Sequence, residues 1–444
     1  MGQGCFADLK ARGLVDATTG PEVETLLDGD TGISAYSGFD PTADSLHIGH
    51  LVPLLALRRL QMSGHTPIAL AGGATGLIGD PSGKSAERNL LTSEVLSHNV
   101  SCIKKQLSLL LDFEATRNPA KLVDNHDWIG KFTLLDFLRD VGKHFTVNYM
   151  TAKDSVKGRL DRDSGISFTE FSYMLLQAVD FQHLFRHHDC VLQIGGSDQW
   201  GNITAGIELI RRTHGHAGGE RPQHPRPGLG GHAYGMTMPL ITTASGQKFG
   251  KTEAGAVWLS PERTSPYLFH QYFVRADDRD AGRYLRLFTF VPLDEIAALE
   301  AELAESPDKR SAQKRLAREV TTLIHGEDAV RSAIAGAELL YGGSPSSLTE
   351  ADLLAVASEV PRTELSESYG EQRDVIELFA SSLCGSKGEA RRLLQQGGMY
   401  VNNERITDGA APIGAGRLLF GRYLLLRSGK KSYHLVVFGA PADG

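Results

Sequence analysis

Cysteine is scarce in this chain, and long apolar runs are missing. Its 444 residues include four cysteines, and Cys5, Cys102, Cys190 and Cys384 form neither a CxxC pair nor the spacing of a zinc site. This usage favours a reducing compartment, so we expect a cytoplasmic protein. No apolar run is long enough to cross a bilayer, and residues 1–6 lack the basic and apolar regions of a secretory signal. We therefore expect no membrane partner.

A general excess of positive charge is also absent. The hydrophobic content of 41% and charged content of 22% are those of a soluble globular protein of several domains. The formal net charge of −7 argues weakly against a nucleic-acid partner, but binding needs only a local basic face. Between Cys384 and Lys431 nine basic residues accompany three acidic ones, a balance of +6. This asymmetry makes residues 384–431 the place to look for a nucleic-acid contact.

The first part of the chain has the pattern of a βαβ unit. Residues 34–39 and 68–71 have the composition of buried strands, and the apolar spacing of residues 47–62 predicts a helix between them. This order predicts a parallel sheet in an α/β domain. Ligands bind beyond the carboxyl ends of such strands, where residues 40–50 and 72–80 are expected to lie.

Composition and periodicity divide the chain into four segments. We expect a first α/β domain over residues 1–255, with a connecting insertion at about 115–190. A strand-poor helical domain is expected over 256–342, and a linker over 343–370. Residues 371–444 are expected to form a small α+β domain.

Two short motifs carry the strongest functional signal. Residues 47–50, HIGH, are predicted at a helix N-terminus, where unpaired N–H groups and the helix dipole favour phosphate. Gly49 allows a nucleotide to approach the backbone, and the two imidazoles can donate to phosphate oxygens. Residues 248–252, KFGKT, place two ammonium groups among small residues, which suits pyrophosphate. Each motif alone is more often a solvated surface, but the pair in this order predicts two walls of one ATP site.

Three other patterns are less specific. Residues 72–84 are rich in glycine but lack the spacing of a P-loop. Residues 195–202 place a glycine pair at a strand end before a carboxylate, which suits a ribose held by its hydroxyls. Tyr173, Gln177 and Asp180 are spaced i, i+4 and i+7 and share one helix face. That face either meets solvent or forms the wall of a pocket for a polar small molecule, and the spacing leaves both open.

These segments resemble those of bacterial tyrosyl-tRNA synthetases, which are class I aminoacyl-tRNA synthetases. The resemblance is close over residues 36–50 and extends to residues 74–80, 168–173, 193–202 and 248–252. Residues 386–394 resemble an S4-type RNA-binding domain. Nearly the whole chain is covered. The resemblance implies a Rossmann-like catalytic domain of the α/β class, an α-helical anticodon-proximal domain and a small α+β S4-like RNA-binding domain.

The resemblance also implies a role for each matching residue. Tyr36 and Asp180 match the pair that binds the substrate phenol, and Gln199 matches a residue near the reacting carboxylate. The residues that match the rest of the tyrosine pocket are Asp80, Asn125, Tyr173 and Gln177. Those that match contacts to ATP or the adenylate are Asp40, Thr42, His47, Gly49, His50, Gly196 and Asp198. The cations that match the pyrophosphate site are Lys84, Arg88, Lys248 and Lys251. On the RNA-binding domain the candidates are Lys387, Arg391 and Arg392.

The implied reaction joins L-tyrosine to tRNA(Tyr) through tyrosyl-adenylate, with ATP as co-substrate and Mg²⁺ arriving on ATP. The resemblance implies a homodimer and no tightly bound protein metal. Three departures stand out: Ser37 replaces a frequent cysteine, Thr252 replaces a serine, and residues 214–232 look like an insertion. That insertion holds four histidines that could bind a metal, although a solvated loop is the commoner explanation. The alternatives are a tryptophanyl-tRNA synthetase, a non-charging RNA-binding paralogue, and an inhibitor-resistant duplicate of the housekeeping enzyme.

Overall fold

The chain divides into two compact units in the computed structural model. The first comprises residues 1–263 and 276–316, and the second comprises residues 264–275 and 317–444. The structure describes residues 4–82, 91–160, 165–214, 232–247, 249–252, 255–345, 348–357, 359–365, 374–409, 417–430 and 432–439.

The first unit is built on a six-stranded sheet in the order β1-β6-β5-β2-β3-β4. Every neighbouring pair is parallel except β1 with β6. The strands are β1 Ala17–Thr18, β2 Ser34–Phe39, β3 Thr66–Ala71, β4 Lys121–Asp124, β5 Cys190–Gly196 and β6 Tyr234–Met238; a two-stranded ribbon adds β7 Lys251–Thr252 and β8 Gly255–Ala256. The predicted parallel sheet is therefore confirmed.

Helices cover this sheet and follow its strands. They are α1 Cys5–Ala11, α2 Glu22–Asp28, α3 Leu51–Met62, α4 Ser93–Leu110, α5 His126–Ile129, α6 Leu134–Asp140, α7 Val147–Thr151, α8 Asp154–Leu160, α9 Phe168–His188 and α10 Trp200–His214. The next four helices along the chain are α11 Pro266–Val274 of the second unit, α12 Asp278–Phe288, α13 Leu293–Glu305 and α14 Ser311–Leu340. Helix α14 begins in the first unit, continues in the second, and is interrupted at Gly326, whose φ is +84°.

The order of the strands creates a switch point in the sheet. From β2 the chain moves outward to β3 and β4, whereas β5 and β6 extend the sheet on the other side of β2. The connections that leave β2 and β5 therefore diverge, and the gap beyond their carboxyl ends is open to a ligand. Pro53 lies in the first turn of α3, where its missing N–H costs no helical bond.

The second unit contains a five-stranded sheet in the order β11-β10-β12-β13-β9. Its further elements are α15 Glu350–Ala357, β9 Arg362–Leu365, α16 Val375–Ser382, α17 Lys387–Gln395, β10 Met399–Val401, β11 Glu404–Arg405, β12 Tyr423–Ser428 and β13 Ser432–Phe438. Alternate residues of β12 enter two hydrophobic clusters: Leu424 and Leu426 pack in one, and Tyr423 and Leu425 in the other. Both faces of this sheet are thus covered.

One sequence expectation needs correction here. Residues 350–357 and 362–365, which we expected within a linker, form α15 and β9, and β9 pairs in parallel with β13. The side chains of Leu353 and Val356 are buried, which explains why this segment packs rather than remaining extended and solvated. No helix within the described ranges is long and apolar enough to cross a membrane.

Candidate active site

A cavity of about 530 Å³ lies at the switch point of the first unit. Its walls come from the carboxyl ends of β2 and β5, the turn before α3, and the face of α9. The predicted site residues that line it are Tyr36, Asp40, Thr42, His47, Gly49, His50, Asp80, Tyr173, Gln177, Asp180, Gly196, Asp198 and Gln199. The face of α9 that carries Tyr173, Gln177 and Asp180 is therefore a pocket wall, which settles the alternative left open by its spacing.

Two buried polar residues, Tyr36 and Asp180, line this cavity. Tyr36 is 1% exposed, and its hydroxyl makes no hydrogen bond to any residue that the structure describes. Its ring packs against Phe181, with ring centroids 5.4 Å apart. Asp180, from the adjacent position of α9, is 2% exposed and also lines the cavity. A buried hydroxyl without a partner costs free energy, so this part of the cavity favours a ligand that carries a hydrogen-bonding group.

Asp180 is held in place by two N–H donors. The indole Nε1 of Trp128 donates to Oδ1 at 2.8 Å, and the Nδ2 of Asn125 donates to Oδ2 at 3.0 Å. The pKa of Asp180 is raised to about 8, chiefly by burial; the two donors oppose the rise, and the negative charges of Asp40 and Asp124 add to it. Burial first, then the neighbouring Asp180, raises the pKa of the Tyr36 phenol well above its usual range.

A second polar cluster lies nearer the N-terminus of α9 than Asp180. The Tyr173 hydroxyl donates to Oδ2 of Asp40 at 2.8 Å, and the Thr75 hydroxyl donates to Oδ1 at 2.7 Å. Gln199 donates to Oδ2 of Asp80 at 2.6 Å and accepts from Nε2 of Gln177 at 3.2 Å. Carboxylates and amide oxygens together form a surface that accepts hydrogen bonds, as a ligand ammonium requires.

The HIGH motif forms a short 3₁₀ turn that leads into α3. Nδ1 of His47 accepts from the backbone N–H of Gly49, and Nδ1 of His50 accepts from the backbone N–H of His47, both at 3.1 Å. The two rings stack with centroids 3.9 Å apart. Because each Nδ1 accepts, a neutral ring carries its proton on Nε2, which is then the nitrogen that donates. A Cβ at position 49 would lie 2.8 Å from Cε1 of His47, so this turn needs glycine.

Backbone hydrogen bonds join the two motifs that lie far apart in the sequence. The N–H of Ile48 donates to the carbonyl of Val257, and the N–H of Val257 donates to that of Gly250, each at 3.0 Å. Gly250 has φ of +80°, and a Cβ there would lie 2.9 Å from Cγ1 of Ile48. The backbone at Gly250 of the KFGKT motif thus lies beside the HIGH turn, as two walls of one site require.

Comparisons with known proteins agree with this geometry. A family model described as tRNA synthetases class I (W and Y) matches residues 30–342, and that of the tyrosine–tRNA ligase SYY-like C-terminal domain matches residues 352–436. The tyrosine–tRNA ligase of Geobacillus stearothermophilus is 51% identical over 432 residues, which cover 97% of this chain and 99% of that protein. The chain belongs to the tyrosine–tRNA ligases. The tyrosine–tRNA ligase of Opitutus terrae is similarly 50% identical over 97% of this chain and 98% of its own length.

Solved structures of tyrosine–tRNA ligases share the fold. A C-terminally truncated mitochondrial tyrosyl-tRNA synthetase of Aspergillus nidulans aligns with a TM-score of 0.67 and 32% identity, covering 75% of this chain and 92% of that one. A tryptophanyl-tRNA synthetase of Encephalitozoon cuniculi aligns with a TM-score of 0.51 at 13% identity, which shows a likeness of fold alone. The family and fold class that the sequence predicted are confirmed.

Some predicted residues of this ligase site lie outside the part of the chain that the structure describes. They are Lys84, Arg88 and Lys248, and only the backbone of Lys251 is described. Residues 215–231 of the predicted insertion, with two of its four histidines, also lie outside. Asn125 does not line the cavity; it lies behind Asp180, fully buried, and also donates from its Nδ2 to the Thr75 hydroxyl at 3.0 Å.

Several residues that line the ligase cavity or support its walls were not predicted from the sequence. Trp128 stands three residues after Asn125, a spacing that could have suggested a shared role at one helical turn. Gln193 is 3% exposed, lies beside Tyr36 in the register of β2 and β5, and lines the cavity. Its Oε1 is buried and makes no hydrogen bond within the described residues. A glutamine inside the apolar run of β5 was the available signal. Ser37, also buried, lines the cavity as well.

Proposed function

We propose that this chain activates L-tyrosine with ATP and transfers the tyrosyl group to the 3′-terminal ribose of tRNA(Tyr). The carboxylate of tyrosine attacks the α-phosphate of ATP, so that tyrosyl-adenylate forms and pyrophosphate leaves with its Mg²⁺. The ribose hydroxyl then takes the tyrosyl group and releases AMP. Mg²⁺ belongs to the nucleotide substrate in this scheme.

The single observation that carries the choice of amino acid is the pair formed by Tyr36 and Asp180. A phenol in this part of the cavity would donate to Asp180 and supply a partner for the Tyr36 hydroxyl, which has none among the described residues. Phenylalanine would leave the buried Tyr36 hydroxyl without a partner among the described residues and would make no hydrogen bond to Asp180. Rejection of phenylalanine by tyrosyl-tRNA synthetases is a standard case of this effect, and we claim no magnitude for it.

The remaining polar groups fit the rest of the substrate. We assign the ammonium of tyrosine to Asp80, Tyr173 and Gln177, and the reacting carboxylate to the vicinity of Gln199. Asp40, Gly196 and Asp198 would contact the adenylate. This arrangement holds the carboxylate in one orientation toward ATP, which removes much of the entropic cost of the reaction.

The nucleotide end of the site would act by electrostatics. Thr42, His47 and His50 would donate to the phosphate oxygens, with the two Nε2 atoms as imidazole donors. The four cations Lys84, Arg88, Lys248 and Lys251 would meet the charge that develops as pyrophosphate leaves. No side chain is required as a covalent nucleophile.

The experiment that tests this proposal is Asp180→Ala. The kcat/KM for tyrosine in pyrophosphate exchange should fall by about ten- to a hundredfold, because the substrate phenol loses its buried hydrogen-bonding partner. The KM for ATP should remain within about twofold. Asp112→Ala is the matched control, since Asp112 lies in the same unit on the exposed surface away from the cavity. An unchanged kcat/KM for tyrosine in Asp180→Ala would remove the phenol assignment.

We also propose that the second unit binds tRNA through α17. Ser386 caps this helix by accepting from the N–H of Glu389 at 3.2 Å, and Arg391 and Arg392 are exposed on it. Lys387 pairs with Glu377 of α16 and is therefore partly neutralised. The two arginines thus remain as the stronger candidates for contacts to backbone phosphates.

A homodimer is proposed on the basis of several exposed hydrophobic side chains of the first unit, which we propose to form one patch. Its members are large hydrophobic side chains 37% to 77% exposed: Phe132, Leu134, Leu135, Leu138, Val147 and Phe168. Patches of this kind mark protein–protein contacts. Leu135→Glu should shift the protein toward the monomer in analytical ultracentrifugation, whereas Leu109→Glu, at a similarly exposed leucine of α4, should not. Equal sedimentation of both variants and the wild type would contradict this patch as the interface.

We place the enzyme in the cytoplasm, since its four cysteines are free thiols.

A further inference from the structure

Asn202 has no role in the proposed reaction, yet it lies at the centre of the polar network beside the cavity. It belongs to the first turn of α10 and is 3% exposed. Its Nδ2 lies 3.0 Å from Oε1 of Gln177, 3.2 Å from Oε1 of Gln199 and 3.4 Å from Oγ of Ser82.

The orientation of each amide in this network follows from Asp80. A carboxylate only accepts hydrogen bonds, so Gln199 must present its Nε2 to Asp80, at 2.6 Å. The Oε1 of Gln199 therefore points the other way and accepts from Nε2 of Gln177 at 3.2 Å. That bond fixes the Oε1 of Gln177 as the group that accepts from Asn202. One acceptor at the end of the chain thus sets the direction of every amide behind it.

Without Asn202, the side-chain amides of the two glutamines would be held less firmly in these orientations. Each side-chain amide can rotate so that its NH₂ and oxygen exchange places. Asn202 opposes this rotation in both glutamines because it presents NH₂ hydrogens to their oxygens. An exchange in Gln177 would turn its NH₂ group toward Asn202, where two donors would meet.

We propose that Asn202 is a positioning residue for the ammonium of the substrate. By holding the amide of Gln177 in one direction, it keeps Oε1 as an acceptor in a residue that lines the cavity together with Asp80 and Tyr173, and the second lone pair of that oxygen remains for the ligand ammonium. Asn202 lies behind the cavity wall and does not line the cavity. This inference rests on the proposed function, which assigns the ammonium to these three residues.

Two inhibitors that differ only in the ammonium isolate this effect. L-Tyrosinol carries the phenol and the ammonium, whereas 3-(4-hydroxyphenyl)propan-1-ol carries the phenol and lacks the amine. The ratio of their inhibition constants against tyrosine in pyrophosphate exchange reports the contribution of the ammonium alone. In Asn202→Leu, which is similar in size but has no donor, the preference for tyrosinol should fall about fivefold, the change that corresponds to about 1 kcal/mol. The inhibition constant of the alcohol without the amine and the KM for ATP should remain within about twofold.

A matched control and a second variant make the result decisive. Asn118→Leu also removes an internal Nδ2 donor of the first unit, which bonds the carbonyls of Gln61 and His65 at 2.7 Å, and should keep the wild-type ratio. If Asn202→Leu does not fold, as judged by thermal unfolding, Asn202→Ser provides the test, with a smaller side chain and an expected loss of at least about twofold.

The possible outcomes test the ammonium assignment and the role of Asn202 separately. A wild-type enzyme that binds both inhibitors equally would overturn the ammonium assignment in the proposed function. A wild-type enzyme that prefers tyrosinol, together with a folded Asn202 variant that keeps the full preference, would overturn the role of Asn202 and leave the assignment intact. A loss of affinity for both inhibitors by the same factor would also overturn it, because a general disturbance of the pocket would then be the cause.

Discussion

Replacement of Tyr36 by phenylalanine should stabilise the free enzyme and weaken its complex with tyrosine. The Tyr36 hydroxyl is buried and makes no hydrogen bond within the described residues, so the folded state carries the cost of its desolvation. The variant Tyr36→Phe removes that group and leaves the ring against Phe181. In the complex the same hydroxyl has the phenol of the substrate as its partner, so its loss there removes a hydrogen bond.

The magnitudes follow from the two environments. An unsatisfied buried polar group costs about 1–3 kcal/mol, and removal of the hydroxyl should recover about 1 kcal/mol in the free energy of unfolding. Loss of the hydrogen bond in the complex should weaken tyrosine binding by about 0.5–1.5 kcal/mol, or up to about tenfold in Kd. The stabilisation that saturating tyrosine gives the protein should shrink accordingly.

The assay is chemical denaturation with and without tyrosine, and Tyr173→Phe supplies the contrast. Tyr173 is also buried, but its hydroxyl donates to Asp40 at 2.8 Å, so its removal should lower the free energy of unfolding of the free enzyme. The two Tyr→Phe changes should therefore have opposite signs without ligand. A free enzyme destabilised by Tyr36→Phe, or an unchanged Kd for tyrosine, would refute the reasoning.

Three further predictions concern the electrostatics of the site and the second unit. The indole of Trp128 donates to Asp180 and lowers the pKa of this carboxyl, which burial raises. Trp128→Phe removes the donor, so the pH at which kcat/KM for tyrosine is half-maximal should rise; an identical profile would contradict this. Lys251→Ala should slow adenylate formation in stopped-flow measurements while tyrosine affinity stays nearly constant, and a normal rate would remove this lysine from the mechanism. Replacing Arg391 and Arg392 by alanine should raise the KM for tRNA and reduce the salt dependence of tRNA binding by about two in log–log slope, with pyrophosphate exchange unchanged; an unchanged slope would exclude them as phosphate contacts.

Much of the catalytic unit could be predicted from local patterns. The spacing of Tyr173, Gln177 and Asp180 places them on one face of α9, and the strand–helix–strand order from β2 to β3 places the HIGH turn at a sheet edge. Both signals lie within short stretches of sequence, in which the repeat of the helix or strand determines the face on which each side chain lies. The roles of the residues came from the family resemblance.

The supports behind the cavity wall could not be predicted in the same way. Trp128 and Asn125 reach Asp180 across more than fifty positions, because α5 follows β4 at the edge of the sheet while α9 precedes β5. Asn202 likewise meets Gln177 only when α10 packs on α9. Such contacts depend on tertiary packing, which no local pattern encodes.

The second unit shows the same dependence on distant partners. The strand β9 is short, and it pairs with β13, about seventy positions later in the chain. A truncation near Gly370 would therefore separate β9 and α15 from the sheet and the cluster against which they pack. Point variants on α17 test tRNA binding without this disruption.

Pyrophosphate exchange with each of the twenty amino acids tests the central claim most directly. The presence of both Tyr36 and Asp180 in the cavity wall predicts ATP-dependent exchange with tyrosine, and exchange with phenylalanine and tryptophan near background. Exchange led by tryptophan, or no exchange with any amino acid, would contradict the account.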